Sequence, residues 1–130
     1  MPDAAKRGDA VNGMDTHIVM VSTPGGPVPT PLPTPFAGTI SGGCSPDVSI
    51  EGAPAAVAGS TARNSTRHVP AGGPFQTEPS NEGEIIGGST TVFINGKPAA
   101  RSGDRVNTCN DPAPAPNGTI TAVSTVKIGG

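Results

Sequence analysis

The sequence predicts an all-β protein, a small conical pseudo-threefold repeat of short strands and hairpins with long Pro/Gly-rich loops, closed by N- and C-terminal half-repeats. Three observations predict it. Two internal segments align without a gap. A third copy is divided between the two ends of the chain. Each copy is a short period-two alternation that ends in a turn dipeptide, as half-buried strands do.

The first copy lies in GCSPDVSIEGAPAAVAGS (43–60) and the second in GSTTVFINGKPAARSGD (88–104). Val48, Ile50, Gly52, Pro54, Ala55, Ala56 and Gly59 meet Val92, Ile94, Gly96, Pro98, Ala99, Ala100 and Gly103. The third copy begins at Ser124-Thr125-Val126-Lys127-Ile128-Gly129-Gly130 and resumes at Ala4-Ala5-Lys6-Arg7-Gly8-Asp9. A repeat cut in this way predicts a closed ring in which the last strand runs on, in space, into the first residues. Asn95-Gly96 is a strong two-residue hairpin signal, and Glu51-Gly52 and Gly129-Gly130 stand in its place in the other copies. Across a threefold axis, Val48, Val92 and Val126 are expected to form one layer and Ile50, Ile94 and Ile128 the next. The Ala-Ala pairs are expected where the section is narrowest.

Composition supports a small folded unit of this kind and little else. Of 130 residues, 19 are Gly, 16 are Pro and only three, Phe36, Phe75 and Phe93, are aromatic, so a core of large side chains is excluded. No apolar run approaches the ~20 residues that a membrane helix needs. The N-terminus lacks the apolar stretch of a signal peptide. The net charge is −2 with the charges scattered, which excludes a basic nucleic-acid footprint. The stretches 23–36 (TPGGPVPTPLPTPF) and 111–118 (DPAPAPNG) read as proline-stiffened loops. Pro35-Phe36 and Pro74-Phe75 look like equivalent ring-packing pairs. Residues 1–130 are taken as a single domain.

Metal-ligating residue types recur at a set distance from the turns. His17 follows Asp9 by eight residues, His68 follows Ser60 by eight, and Cys109 follows Asp104 by five. In a threefold ring these positions converge. Two imidazoles and a thiolate make a zinc site of tetrahedral preference that needs one more ligand. Cys44 is one candidate for it; the alternatives are that Cys44 is a buried thiol, that a water fills the place, or that Cys44 and Cys109 form a disulfide. Zinc would supply a staple that a small aromatic-poor chain needs. Asp15, His17 and a serine could be imagined as a triad. However, no nucleophile elbow, phosphate loop or usable carboxylate pair supports catalysis, and no enzyme activity is expected.

INGKPAARSGD (94–104), with its Pro98-Ala99-Ala100-Arg101, closely resembles the PAAR-repeat family; EGAPAAVAGS (51–60) is a degenerate copy with Val57 in place of the arginine. AAKRGDAVNGMDTH (4–17) resembles the family's opening half-repeat and STVKIGG (124–130) its last strand, so the likeness covers nearly the whole chain. Together with Cys109-Asn110-Asp111-Pro112, the opening looks most like the PAAR-like branch found in contractile injection systems. The resemblance implies a conical tip that caps the blunt end of a trimeric spike of the valine-glycine-repeat type, one tip to three spike chains. The setting it implies is type VI secretion or a phage-tail-like particle. It also implies zinc near the apex, bound in better-known members by three His and one Cys. His17, His68 and Cys109 match that set, and the third His has no counterpart here. It further implies transient contact with a target membrane, assembly in the bacterial cytoplasm before outward delivery, and effectors as optional cargo. The split repeat occupies both ends of the sequence, so a bare tip without a fused toxin is expected. The alternative function is a zinc-stapled adhesion or binding module.

Overall fold

The computed structural model describes residues 1–130 and contains ten strands and no helix. In chain order these are β1 (Ala10–Val21), β2 (Val28–Gly42), β3 (Ser49–Ile50), β4 (Ala53–Pro54), β5 (Thr61–Asn64), β6 (Glu82–Ile85), β7 (Phe93–Ile94), β8 (Lys97–Pro98), β9 (Arg105–Thr108) and β10 (Ala115–Thr121). Three antiparallel pairs, β1/β2, β5/β6 and β9/β10, close into a barrel of order β1-β10-β9-β6-β5-β2. The two short hairpins β3/β4 and β7/β8 lie between them in sequence. Their turns are the predicted dipeptides: Glu51 and Gly52 have φ of 51° and 84°, and Asn95 and Gly96 have 52° and 78°. Both central residues of such a turn need positive φ, which is why Asn-Gly is favoured there.

The threefold symmetry is written in the backbone hydrogen bonds. Ala5 N–H donates to Ala100 C=O, Ala100 to Ala56, and Ala56 back to Ala5, each at 3.0 Å. All six residues of the three Ala-Ala pairs are fully buried. One turn further along, Gly8, Gly59 and Gly103 donate to Ile40, Ile85 and Ile120 at 2.9, 2.8 and 2.8 Å. Asp9, Ser60 and Asp104 close these turns with their side chains, accepting from Lys6, Val57 and Arg101 N–H at 2.8, 3.0 and 2.7 Å. The ends of the chain complete the third copy. Asp3 bridges to Lys127, and Ala4 N–H donates to Val126 C=O at 2.9 Å. Ala55 to Val48 and Ala99 to Val92 are the matching bonds, at 2.9 and 3.0 Å.

One expected layer forms and one does not. Ile50, Ile94 and Ile128 are buried together with Ala4, Ala55, Ala99 and Val57. Val48, Val92 and Val126 instead stand out to nearly the same degree, 38%, 37% and 41% exposed. The strands that carry Ile50 and Ile94 are only two residues long and Ile128 lies on none, so period-two alternation does not extend back to the valines. The axial layers beyond the alanines come from the barrel: Ile40, Ile85 and Ile120, then Val11, Ala62 and Val106, all at most 1% exposed. Ile40→Ala, Ile85→Ala and Ile120→Ala should each cost about 2–5 kcal/mol, the range for such truncations in a packed core. The three losses should agree closely because the surroundings repeat, and guanidinium midpoints of the three variants would check this.

The taper follows from strand pairing. β10 accompanies β1 only over Ala10–Asn12, and β5 accompanies β2 only over Gly38–Gly42. Beyond these points β1 and β2 continue as a hairpin without the other barrel strands, from Gly13↔Phe36 to Val21↔Val28. The section therefore falls from six strands to two. A Cβ on Gly13 would meet Asn117 O at 2.5 Å, so the backbone approach at this split admits only glycine.

The expected loop at 23–36 is corrected here. Only the turn Thr23–Gly26 connects the strands, and Val28–Phe36 is regular β2 despite its prolines. Pro29, Pro31, Pro33 and Pro35 occupy every second position of the ladder with β1, so every missing N–H falls on one edge. That edge is unpaired, which is the place a strand tolerates proline. In 111–118 the loop is likewise shorter than expected, since β10 begins at Ala115.

Candidate metal centre

β1 alternates its side chains, and Val11, Asp15, His17 and Val19 all point inward with at most 2% exposure. An Asp-x-His spacing on a strand puts both ligating groups on one face. The other two components arrive from the chain just past β5 and β9. β5 ends at Asn64, four residues before His68, and β9 ends at Thr108, next to Cys109. Donor atoms of Asp15, His17, His68 and Cys109 all lie within 4.8 Å of one another, and all four residues are buried. The group thus ties the lone hairpin to the other two barrel pairs where their strands give out.

The distances fit a metal ion. Asp15 Oδ2 lies 3.6 Å from both Cys109 Sγ and His68 Nε2, and Cys109 Sγ lies 3.9 Å from His17 Nε2. Ligands at 2.0–2.3 Å on a tetrahedron are about 3.3–3.8 Å apart. His68 Nε2 is buried without a hydrogen-bond partner, the condition of a nitrogen that a cation would satisfy. The buried Asp15 carboxylate has no Lys or Arg ion pair. Its Oδ1 accepts from the Thr108 hydroxyl and, at 3.4 Å, from Asn117 Nδ2, which leaves Oδ2 to face the imidazole and the thiol.

The surroundings hold both rings in place. His17 Nδ1 lies 3.3 Å from Asp111 Oδ2 without a hydrogen bond to it, and that same oxygen accepts the Ile18 N–H at 3.0 Å. His68 Nδ1 lies 3.4 Å from Asn64 Nδ2, and Asn64 is braced by Asn81. Phe75 meets the His17 ring edge-on at 5.7 Å, and Phe36 meets His68 at 6.3 Å. The two Pro-Phe pairs thus serve one site, although Phe36 sits in β2 and Phe75 forms an isolated bridge with Val19. Burial, reinforced by His17, lowers the His68 pKa against the pull of Asp15. Burial and the Asp15 carboxylate push the Cys109 thiol up to about 11. Both shifts hold His68 as a neutral imidazole and Cys109 as a thiol whose proton a metal ion must displace.

Of the sequence candidates, His17, His68 and Cys109 come together and Cys44 does not join them. Cys44 packs partly buried against the barrel core, with its Sγ 3.8 Å from Gly42 C=O. Burial raises its pKa, as for an inert packed thiol. Both cysteines are free, so no disulfide joins them. Asp15 is the fourth member of the group, and it was not among the ligands expected from the sequence. The signal was there in its position two residues before His17 on an alternating strand.

Residues 76–130 match the family model described as the PAAR motif. The match begins before β6 and runs through β10 to the C-terminal share of the split copy, taking in Cys109 and leaving Asp15, His17 and His68 outside. No curated protein matches the chain.

Proposed function

We propose that this chain, whose residues 76–130 match the family model described as the PAAR motif, is the spike tip of a contractile injection system. In this reading one copy caps and sharpens the blunt end of a trimeric spike of the valine-glycine-repeat type and aids membrane puncture. The particle is a type VI secretion system or a phage-tail-like one. The observation that carries the reading is the closed ring of Ala5, Ala56 and Ala100: one chain reproduces a threefold axis in its own backbone. A monomer of that symmetry can meet three identical chains without breaking their equivalence. The narrowing from six strands to two supplies the point. Assembly is in the bacterial cytoplasm, with delivery outward as part of the particle.

The reading includes zinc held by Asp15, His17, His68 and Cys109, which on binding supplies a structural crosslink near the narrow part. In this reading Asp15 supplies the fourth donor, whereas the resemblance implied a third histidine. The chain's own residues do the positioning, Asp111 and Asn64 on the rings and Thr108 on the carboxylate.

Co-expression with the spike protein encoded beside it, followed by native mass spectrometry, tests the assignment. One tip to three spike chains is the expected ratio. A complex of three tips to three spike chains, or the absence of any complex, would overturn it, and binding of a soluble ligand in its place would favour an adhesion module.

A further inference from the structure

The lone hairpin has two long edges, and the chain treats them in opposite ways. From Thr16 to the end of β1 and into Ser22 the outward amides are used. Thr16 N–H donates to Asn110 Oδ1 at 2.6 Å, Ile18 to Asp111 Oδ2 at 3.0 Å, Met20 to Pro74 C=O at 2.8 Å and Ser22 to Gly72 C=O at 3.1 Å. That edge is covered by the segments around 72–76 and 110–111. On β2 the corresponding edge is first used and then abandoned. Ala37 N–H donates to Asn64 Oδ1 at 3.1 Å, and Ala37 C=O accepts Ser65 N–H at 2.9 Å. From there to the turn no strand pairs on that side.

The residues that continue the Ala37 edge toward the turn are Pro35, Pro33, Pro31 and Pro29, all exposed. Their register partners on β1 include Thr16, Ile18 and Met20, whose amides point away from β2, so these are the non-hydrogen-bonded pairs of the ladder. Each proline therefore turns its carbonyl, and no N–H, toward the free edge. The result is a row of acceptors without donors.

We infer that this proline comb denies the free edge of β2 to an incoming strand, in the first place to the same edge of a second copy of this chain. An added antiparallel strand needs donors and acceptors in alternation, and two combs facing each other would set carbonyl against carbonyl. A long, straight edge that ends in a two-stranded point is the place where edge-to-edge pairing would otherwise start. The prolines remove that option without a bulge or a charge, so the hairpin stays narrow and straight. This inference does not depend on the spike-tip reading or on the metal.

Sedimentation of variants in which donors are restored tests it. The variant P29T/P31T/P33T/P35T is expected to associate with rising concentration, its mass moving from 12.7 kDa toward twice that value. The amides of the four new residues should become protected from hydrogen exchange in the associated form. The charge control P29K/P31K/P33K/P35K restores the same amides and the same backbone freedom, and should stay monomeric because lysines block an edge. If the fourfold variants fail to fold, P31T/P33T and P31K/P33K carry the same comparison. A threonine variant that remains monomeric over the range, or one that associates with its new amides unprotected, would overturn the inference. Equal association of the lysine variant would also overturn it, because the contact would then lie elsewhere than on this edge.

Discussion

Deletion of residues 124–130 is expected to leave a chain that does not fold on its own, although it keeps every residue of the candidate metal centre. Ile128 is 5% exposed and packs with Ile50 and Ile94, so its loss opens one third of that layer. Removing such a side chain costs about 2–5 kcal/mol when the cavity cannot collapse. The ring makes collapse difficult, because Ala4, Ala55 and Ala99 are already fixed around the axis. The deletion also strips Ala4 N–H of its Val126 acceptor and Pro2 C=O of its Ile128 donor, both at 2.9 Å. Gly129 C=O, which accepts from Ser89 Oγ at 2.5 Å and from Arg101 Nη1 at 3.3 Å, goes with it. Each lost bond adds about 1 kcal/mol. The total is comparable with the whole stability of a small domain, about 5–15 kcal/mol. Val126 adds little, since it is 41% exposed. Circular dichroism and solubility of the truncated chain check this result. A permutant that joins Gly130 to Pro2 and opens between Gly25 and Gly26 should fold, because it makes the third copy continuous and breaks only the turn at the tip. A truncated chain that melts like the full one would show that the ring does not need its third copy.

The symmetry was legible because the same small residues return at the same places. Ala-Ala, the Gly-Asp or Gly-Ser turn and the Ile-x-Gly hairpin each have one geometrical solution near a crowded axis, so sequence identity reports spatial equivalence. The barrel strands were not legible. β5 reads TARN and β6 reads EGEI, and each offers too little apolar alternation to stand out. The connections within the three pairs differ in length, running over residues 22–27, 65–81 and 109–114, which hides their equivalence. β2 was masked by its prolines, which normally argue against a strand and here mark an edge. The valine layer failed because a two-residue strand cannot propagate a period. At the candidate site, His17 and His68 showed themselves by their equal distance from Asp9 and Ser60. Cys44 was offered as a fourth ligand on residue type alone. Asp15 was passed over because an isolated aspartate is far more often solvated than buried, and only the inward face of β1 distinguishes it.

Stripping the metal should cost the protein more stability than any single core substitution. Structural zinc in small peptides has apparent binding free energies of about 10–16 kcal/mol near neutral pH, and where metal binds only the folded chain this energy stabilises the fold. Here the ion would join β1 to the chain past β5 and β9, at the level where the barrel strands stop pairing with the hairpin. The purified protein is expected to carry about one zinc per chain, and a strong chelator should lower its melting temperature by tens of degrees. D15A, H17A, H68A and C109A should each lose most of the bound metal. D15A is the most informative, since Asp15 is absent from the three-His, one-Cys set that the resemblance implies. C44S should keep full metal content, because Cys44 lies outside the group. Binding should weaken as pH falls: the ion must displace the proton of a Cys109 thiol held near a pKa of about 11, and each drop in pH favours the protonated form. Competition with a chromogenic chelator across pH 6 to 8 reads that slope. A protein that purifies without metal and melts at the same temperature with and without chelator would remove the staple, and would leave Asp15 as a buried carboxylate held only by Thr108, Asn117 and the site's own imidazole and thiol.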